Sequence, residues 1–417
     1  MALKSTTLRS MTLKSTLADP RRCDQTHSNR KLTRTIQICA LALASAISLA
    51  MVQPALAQTF SVLYTFTGGP DGGAPFANVS LDSAGNIYGT TQRGGDAICS
   101  CGVVFKVDPT GAETALHTFV QTDGSTPTSA LVFDAQGNIY GTTIQGGPGG
   151  SGVAFKLTPS GTYKILHAFT DTRDGGNPQG VTLDGAGNLY GVSRTGGPNN
   201  SNNCNFGCGT LWKLSPPGKL TVLHNFAGGT DGNAPVGIVV LDPAGDVYGT
   251  TRSGGNINSD GTVFKYTKNG LYSVRPLTAS FGINPTGGLV LDGQGNFYGP
   301  TNGGTVGDGS IFRMDATLTF TGAFSFTGAD GQNPNGGLTL DADGNIYGTT
   351  YDGGTSGSGT AFEITSTGET VLHSFDAPTG GQNPAAGVAI DAAGNIYGTT
   401  FHGGGTSNYG VVFKITP

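Results

Sequence analysis

Charged side chains are scarce: Asp, Glu, Lys and Arg make up only 12% of the 417 residues. Beyond the first 35 positions no basic stripe occurs, so neither nucleic acid nor an anionic membrane is an expected partner. After residue 57 no segment carries the 3.6-residue apolar period of an amphipathic helix, and essentially no helix is expected. The sequence has no G-x-S-x-G elbow and no H-E-x-x-H pair, which removes two common hydrolytic arrangements. What is abundant is Gly, with 71 residues and no G-X-Y period. That excludes collagen and suits many short strands joined by tight turns, where Gly supplies positive φ.

The N-terminus differs in kind from the rest. Residues 1–35 are basic, an apolar run follows from Ile38 to Val52, and it ends in Pro54-Ala55-Leu56-Ala57-Gln58. A basic region, a short apolar region and an A-x-A site form a secretory signal, with cleavage expected before Gln58. The run is too short for a transmembrane anchor of about 20 residues, so no membrane span is expected after cleavage. The leader carries Lys4, Arg9, Lys14, Arg21, Arg22, Arg30, Lys31 and Arg34 against Asp19 and Asp24. The mature domain 58–417 therefore keeps 14 basic and 25 acidic residues, a net charge of −11.

Internal repetition decides the architecture. The string D-x-x-G-(N/D)-x-Y-G begins at Asp82, Asp134, Asp184, Asp242, Asp292, Asp341 and Asp391, in steps of 52, 50, 58, 50, 49 and 50 residues. Each copy holds four short runs rich in Val, Ile, Phe, Tyr and Thr. In one copy these start at Gly337, Asn345, Thr360 and Thr370. Four antiparallel strands per repeat and seven repeats predict an all-β, seven-bladed β-propeller. The mature chain opens on a run of the fourth type, Phe60–Phe66, and closes on one of the third type, Gly410–Ile415. The N-terminal strand is thus expected to complete the last blade, leaving no open ring end.

Most repeated residues read as structure. Asp at the head of D-x-x-G-N accepts backbone N–H groups two residues on, and Gly at the fourth position takes the left-handed conformation of a hairpin turn. The repeated Tyr, as in Tyr88 and Tyr347, is expected to pack between blades. His117, His167, His224 and His373 share one slot on the fourth run, which Tyr64 fills in another copy. A residue copied around a ring and replaceable by Tyr is not a catalytic base. The repeated Pro between fourth and first runs (Pro75, Pro127, Pro178, Pro235, Pro285, Pro334 and Pro384) reads as turn chemistry.

The motif G-N-x-Y-G-T-T-x-x-G-G, here Gly85–Gly95, followed by a G-T-V-F-K-L-like run, here Gly102–Val107, resembles the GloVer (Gloeo/Verruco) tandem-repeat proteins of exported bacterial proteins. The likeness covers about residues 60–417. It implies bacterial export and a propeller-like fold, and no settled activity. Val192-Ser193 and Pro300-Thr301 replace Thr-Thr in copies three and five, where distorted blades are expected. More distantly the D-x-x-G-N-x-Y run resembles NHL, gluconolactonase-type and streptogramin-lyase-type propellers, which adds an enzyme reading by fold analogy.

With the first run innermost, the D-x-x-G-N hairpins lie on one face. The second-to-third and fourth-to-first loops lie on the other. The second-to-third loops vary, which suits binding, and their candidate ligand-binding residues are Arg93, Asp96, Arg194, Arg252, Asn302, Tyr351, Asp352 and His402. Two further residues of these loops, Gln145 and Phe401, add amide and aromatic character. Such a set fits a glycan or a peptide. Of the four mature cysteines, Cys204 and Cys208 are expected to bridge the longest insertion, and Cys99 and Cys101 form the second candidate pair. No metal, no cofactor and a monomer are expected. The expected role is an exported binding or scaffold module, secreted, periplasmic or on the cell surface. The alternative is a lyase or hydrolase acting on polysaccharide or lactone at the channel mouth. No nucleophile constellation supports that alternative, and no catalytic residue is assigned.

Overall fold

A computed structural model describes residues 58–198, 204, 206–376 and 378–417. The signal sequence and its cleavage site lie outside the described residues. The D-x-x-G-N strings fold as hairpin turns. In the sixth copy the Asp341 Oδ1 accepts the N–H groups of Asp343 and Asn345 at 2.9 Å, while its Oδ2 takes the Asn345 amide (2.8 Å) and the Tyr347 hydroxyl (3.2 Å). Burial alone would raise this carboxyl; its donors outweigh that and hold it below the ordinary Asp value. Asp, Asn and Tyr of the motif therefore satisfy one another. The turn reading holds.

Seven antiparallel sheets result. In the sixth the second strand, Ile346–Asp352, pairs with Thr360–Thr365, which pairs outward with Gly368–Ser374. The innermost strand is split into Gln332–Pro334 and Thr339–Leu340. Blades one, two, three and five repeat the split; blade four keeps one strand, Asn233–Leu241, irregular in register between Val236 and Val240. In the last blade the outer strand is Thr59–Thr65, paired with Val411–Thr416 from Thr59 opposite Thr416 to Thr65 opposite Val411. The N-terminal strand closes the ring as expected.

The core lies within and between blades. The third strand brings an aromatic residue to each blade centre: Phe105, Phe155, Trp212, Phe264, Phe312, Phe362 and Phe413 are fully buried. Each faces the Gly that follows the repeated Tyr, as Phe105 faces Gly89. A Cβ on Gly89 would sit 2.5 Å from the Phe105 ring, so this Gly makes room for the aromatic side chain. Burial of each ring contributes on the order of 2–3 kcal/mol. Tyr88 packs on Phe133 of the next blade (centroids 5.1 Å, 75°), which bears out the inter-blade reading of the Tyr.

The repeated Pro differs from the turn reading. The residue before it is left-handed in all seven blades: Ala74, Thr126, Asn177, Ala234, Asn284, Asn333 and Asn383 have φ of 53° to 57°. Its N–H donates to a carbonyl of the preceding blade at 2.7 to 3.1 Å, from Thr126 to Cys101 through Asn383 to Ser358, and the ring closes with Ala74 to Tyr409. The Pro then lies on a Gly of that same blade. A Cβ on Gly261 would be 2.6 Å from the Pro285 Cδ. This Pro is a blade-to-blade joint: its Cδ, standing where another residue carries its N–H, packs on the Gly backbone there.

The substitutions at Val192-Ser193 and Pro300-Thr301 do not distort their blades. Ser193 and Thr301 hold the registers opposite Pro178 and Pro285 that Thr350 holds opposite Pro334. Pro300 falls beside the gap between the two inner pieces, Ile283–Pro285 and Val290–Leu291. In blade two the matching N–H, of Thr142, goes to a side chain, Ser129 Oγ, at 3.0 Å. No ladder bond is lost at Pro300.

Candidate functional site

The two faces of the ring differ in what they leave unsatisfied. The hairpin face consists of the Asp–Asn–Tyr turns just described. On the other face the second-to-third and fourth-to-first loops meet, through Gly95 N–H to Gly69 O (2.8 Å), Gly147 to Gln121 (2.9 Å) and Gly354 to Gly328 (2.9 Å). Here the residue following the Thr-Thr pair changes from blade to blade: Gln92, Ile144, Arg194, Arg252, Asn302, Tyr351, Phe401. Phe401 packs edge-on against Phe76, the residue after Pro75 on the next blade's innermost strand (5.9 Å, 82°). Phe76 in turn lines the central cavity of about 230 Å³, together with Asn78, Thr128, Gln179, Thr286 and Asn335. Phe401 is thereby placed at the rim of the cavity mouth, and the shared register sets the varying residue of each other blade at the corresponding rim position beside the next blade.

The predicted residues fall into two groups. Arg194, Arg252, Asn302 and Tyr351 occupy the mouth position on blades three to six. Arg194 is half-buried and Arg252 exposed, and among the described residues neither makes an ion pair or a side-chain hydrogen bond. Burial and, secondarily, the charge of Arg252 pull the Arg194 guanidinium below its ordinary value. Burial, with Asp352 adding, raises the Tyr351 hydroxyl. Arg93 and Asp352 lie one residue further on, at the ends of their strands, and so point to the opposite side; His402 follows Phe401 beyond the end of its strand. Asp352 accepts the Asn333 amide at 2.9 Å and lies 3.4 Å from that of Asn383, two of the left-handed joint residues. The His402 backbone bridges Gln382. Asp96 caps its own loop by accepting the N–H groups of Ile98 and Cys99 at 2.9 Å.

The repeated His slot is structural. His117, His167 and His224 lie 3.2, 3.1 and 3.1 Å from Asp123, Asp174 and Asp231, and Tyr64 reaches Asp71 at 2.9 Å in the same place. The His117 and His224 rings stack on Tyr163 and Tyr272 of the following blades. Cys99 is bonded to Cys101 and Cys204 to Cys208, each pair within its own loop.

Two features escaped the sequence reading. Phe76, Gln179, Thr286 and Asn335 follow the repeated Pro; the signal was a position that varies directly beside one that does not. The loop tips are the second: Ile98, Phe206, Ile257 and Val306, all between second and third strands, are 97%, 75%, 101% and 56% exposed. The cavity lining holds no Asp, Glu, His, Lys or Arg among the described residues, and His402 makes no ion pair among them. An acid–base pair converging on the mouth, as the enzyme alternative requires, is not among these contacts.

The fold and this face define a seven-bladed propeller with one self-satisfied face and one variable one. The chain belongs to the Gloeobacter/Verrucomicrobia repeat family, which matches residues 51–204, 174–339 and 279–417. No curated protein matches the sequence. Among solved structures it is similar to the extracellular domain of BT3049 from B. thetaiotaomicron (TM-score 0.55, 13% identity, covering 86% of this chain and 41% of that one). It is also similar to PorZ, a surface component of the type-IX secretion system of Porphyromonas gingivalis (0.52, 12%, 82% and 46%). The chain thus spans less than half the length of these two. A gluconolactonase from Xanthomonas campestris is more remote (0.41, 14%, 68% and 82%). The likenesses to BT3049 and PorZ show the propeller fold alone. No helix of the described residues is long and apolar enough to cross a membrane.

Proposed function

We propose that the protein is an exported binding or scaffold module that acts as a monomer at or outside the cell surface. In this reading residues 1–57 are removed on export, and the mature domain holds a glycan or peptide on its variable-loop face. The observation that carries the reading is the contrast between the faces. Five of the seven hairpins spend their Asp, Asn and Tyr on one another, the third leaving out Tyr190 and the fourth carrying Asp246 in place of Asn, whereas the mouth position presents six residue types, including Arg194 and Arg252 with no ion pair among the described residues, around a neutral cavity. A regular scaffold with irregular loops is the common arrangement of binding proteins. Export is supported by the leader, by the two disulfides, and by the extracellular and surface settings named for BT3049 and PorZ.

The test is an array of glycans and peptides probed with the mature domain and with an Arg194→Ala, Tyr351→Ala double variant of equal thermal stability. Binding by the parent that the variant loses is the expected result. Binding retained in full by the variant would remove the site from this face, and turnover of a lactone or polysaccharide would restore the enzyme alternative.

A further inference from the structure

We infer that the cavity mouth recognises an acidic saccharide, with Arg194 and Arg252 clamping the carboxylate or sulfate of one sugar unit. The inference rests on the reading that the variable-loop face is the binding face, and it adds the chemical class of ligand.

The two arginines occupy the same register on adjacent blades, each directly after a buried hydroxyl residue that sits opposite a joint proline: Ser193 opposite Pro178, and Thr251 opposite Pro235. Burial, and after it the charge of Arg252, lowers the Arg194 guanidinium below its ordinary value. A guanidinium that is half-buried and in the same register as a second one on the next blade, with no carboxylate on either among the described residues, is an uncompensated arrangement. It is notable in a domain whose net charge is −11, where 25 acidic residues are available as partners. The counter-charge is therefore expected from a ligand, and paired planar guanidinium forks suit a carboxylate or sulfate.

The surroundings select a saccharide as the bearer of that anion. The central cavity is lined by amide and hydroxyl groups, Gln179, Thr286 and Asn335 among them, and by Phe76. These are partners for sugar hydroxyls and for one ring face. Its volume of about 230 Å³ is below the roughly 300–1,000 Å³ of a site for a drug-sized ligand, and fits a single sugar unit better than a folded peptide segment. The exposed tips of Phe206 and Ile257 stand on the same two blades and would favour an acidic peptide. That ligand is the competing outcome.

The experiment is calorimetric titration of the mature domain with oligogalacturonate, with its fully methyl-esterified form, with a sulfated oligosaccharide and with a poly-glutamate peptide. Arg194→Gln and the exposed-site variant Arg252→Gln are run in parallel, each first shown to melt like the parent. The expected result is tighter binding of an acidic saccharide than of the neutral ester by at least about tenfold, and a comparable loss in either Arg variant, as charged hydrogen bonds of this kind imply. The uronate and sulfated arms then tell carboxylate from sulfate. Equal binding of acid and ester, unaffected by the Arg variants but lost in Tyr351→Ala, would overturn the anion inference and leave the binding face standing. Poly-glutamate binding that needs Arg194, without saccharide binding, would overturn the saccharide. No binding of any probe at this face would overturn both.

Discussion

At Gly261 the backbone has φ of +93°, and a Cβ there would meet the Pro285 Cδ and the Thr251 carbonyl oxygen, each at 2.6 Å. Gly344, in a hairpin, has φ of +84° and nothing within 4 Å. Both substitutions to Ala strain the backbone, at about 1–3 kcal/mol, but only Gly261→Ala also forces two blades apart. Chemical denaturation should rank Gly261→Ala clearly below Gly344→Ala. Equal losses would mean that the joint is not a packing contact.

A second residue-scale prediction concerns two carboxyls on outer strands. Glu113 and Glu369 are each pushed up to about 7, by burial first and then by Asp71 and Asp330 respectively. Each takes the slot where Tyr163 or Tyr272 packs in other blades, and each leaves one carboxylate oxygen buried without a partner. Their folded values lie above the unfolded Glu value, so the folded state holds the extra protons between about pH 4.5 and 7. Stability from this source is present at low pH and is lost as pH rises through 7. Glu113→Gln and Glu369→Gln should therefore melt higher than the parent at pH 8, with the gap closing towards pH 5. A gap independent of pH would contradict this.

The Asp and Tyr of the repeat were legible in the sequence because they recur at a fixed offset, and the His because it holds one slot that Tyr64 also fills. The joint role of the Pro was not, since its partner Gly lies in the preceding blade.

Among the elements, Thr59–Thr65 carries the most consequence. Phe60 stacks on His373 (3.9 Å, 1°), the Tyr64 hydroxyl reaches Asp71, and the adjoining Phe66 is fully buried. A chain beginning at Thr67 loses the outer strand of the last blade and the cover over Val411–Thr416. Its melting temperature should fall well below that of the chain beginning at Gln58, and amide exchange should accelerate first in Val411–Thr416. Unchanged exchange there would refute closure by the N-terminal strand. This pairing was readable because both termini carry incomplete repeats of complementary type. The split of the innermost strand was not. The Asn335-Gly336-Gly337 stretch offers almost no side chain whose alternation could reveal it, and close packing around the axis sets the gap. A Cβ on Gly287 would be 2.8 Å from the Gly336 carbonyl oxygen. The two disulfides predict that non-reducing peptide mapping finds no free thiol in the mature domain. Free Cys99 and Cys101 would undo that pairing.

The whole molecule is a polarised ring. One face is built from turns that answer their own hydrogen bonds, and the other gathers the residues that break the repeat. That division was visible in the sequence as constant and variable segments. Which variable residues share the mouth was not, because Arg93 and Asp352 differ from Arg194 and Tyr351 only by strand parity, and Asp352 is engaged by the joint residues. The measurement that tests this polarity most directly compares the parent with two double variants on the same ligand array. One removes the mouth side chains Arg252 and Tyr351, and the other removes Lys268 and Asp343 from the turns of the opposite face, all to Ala. The account predicts that binding is lost only in the mouth variant; loss only in the turn-face variant, or in neither, would contradict it.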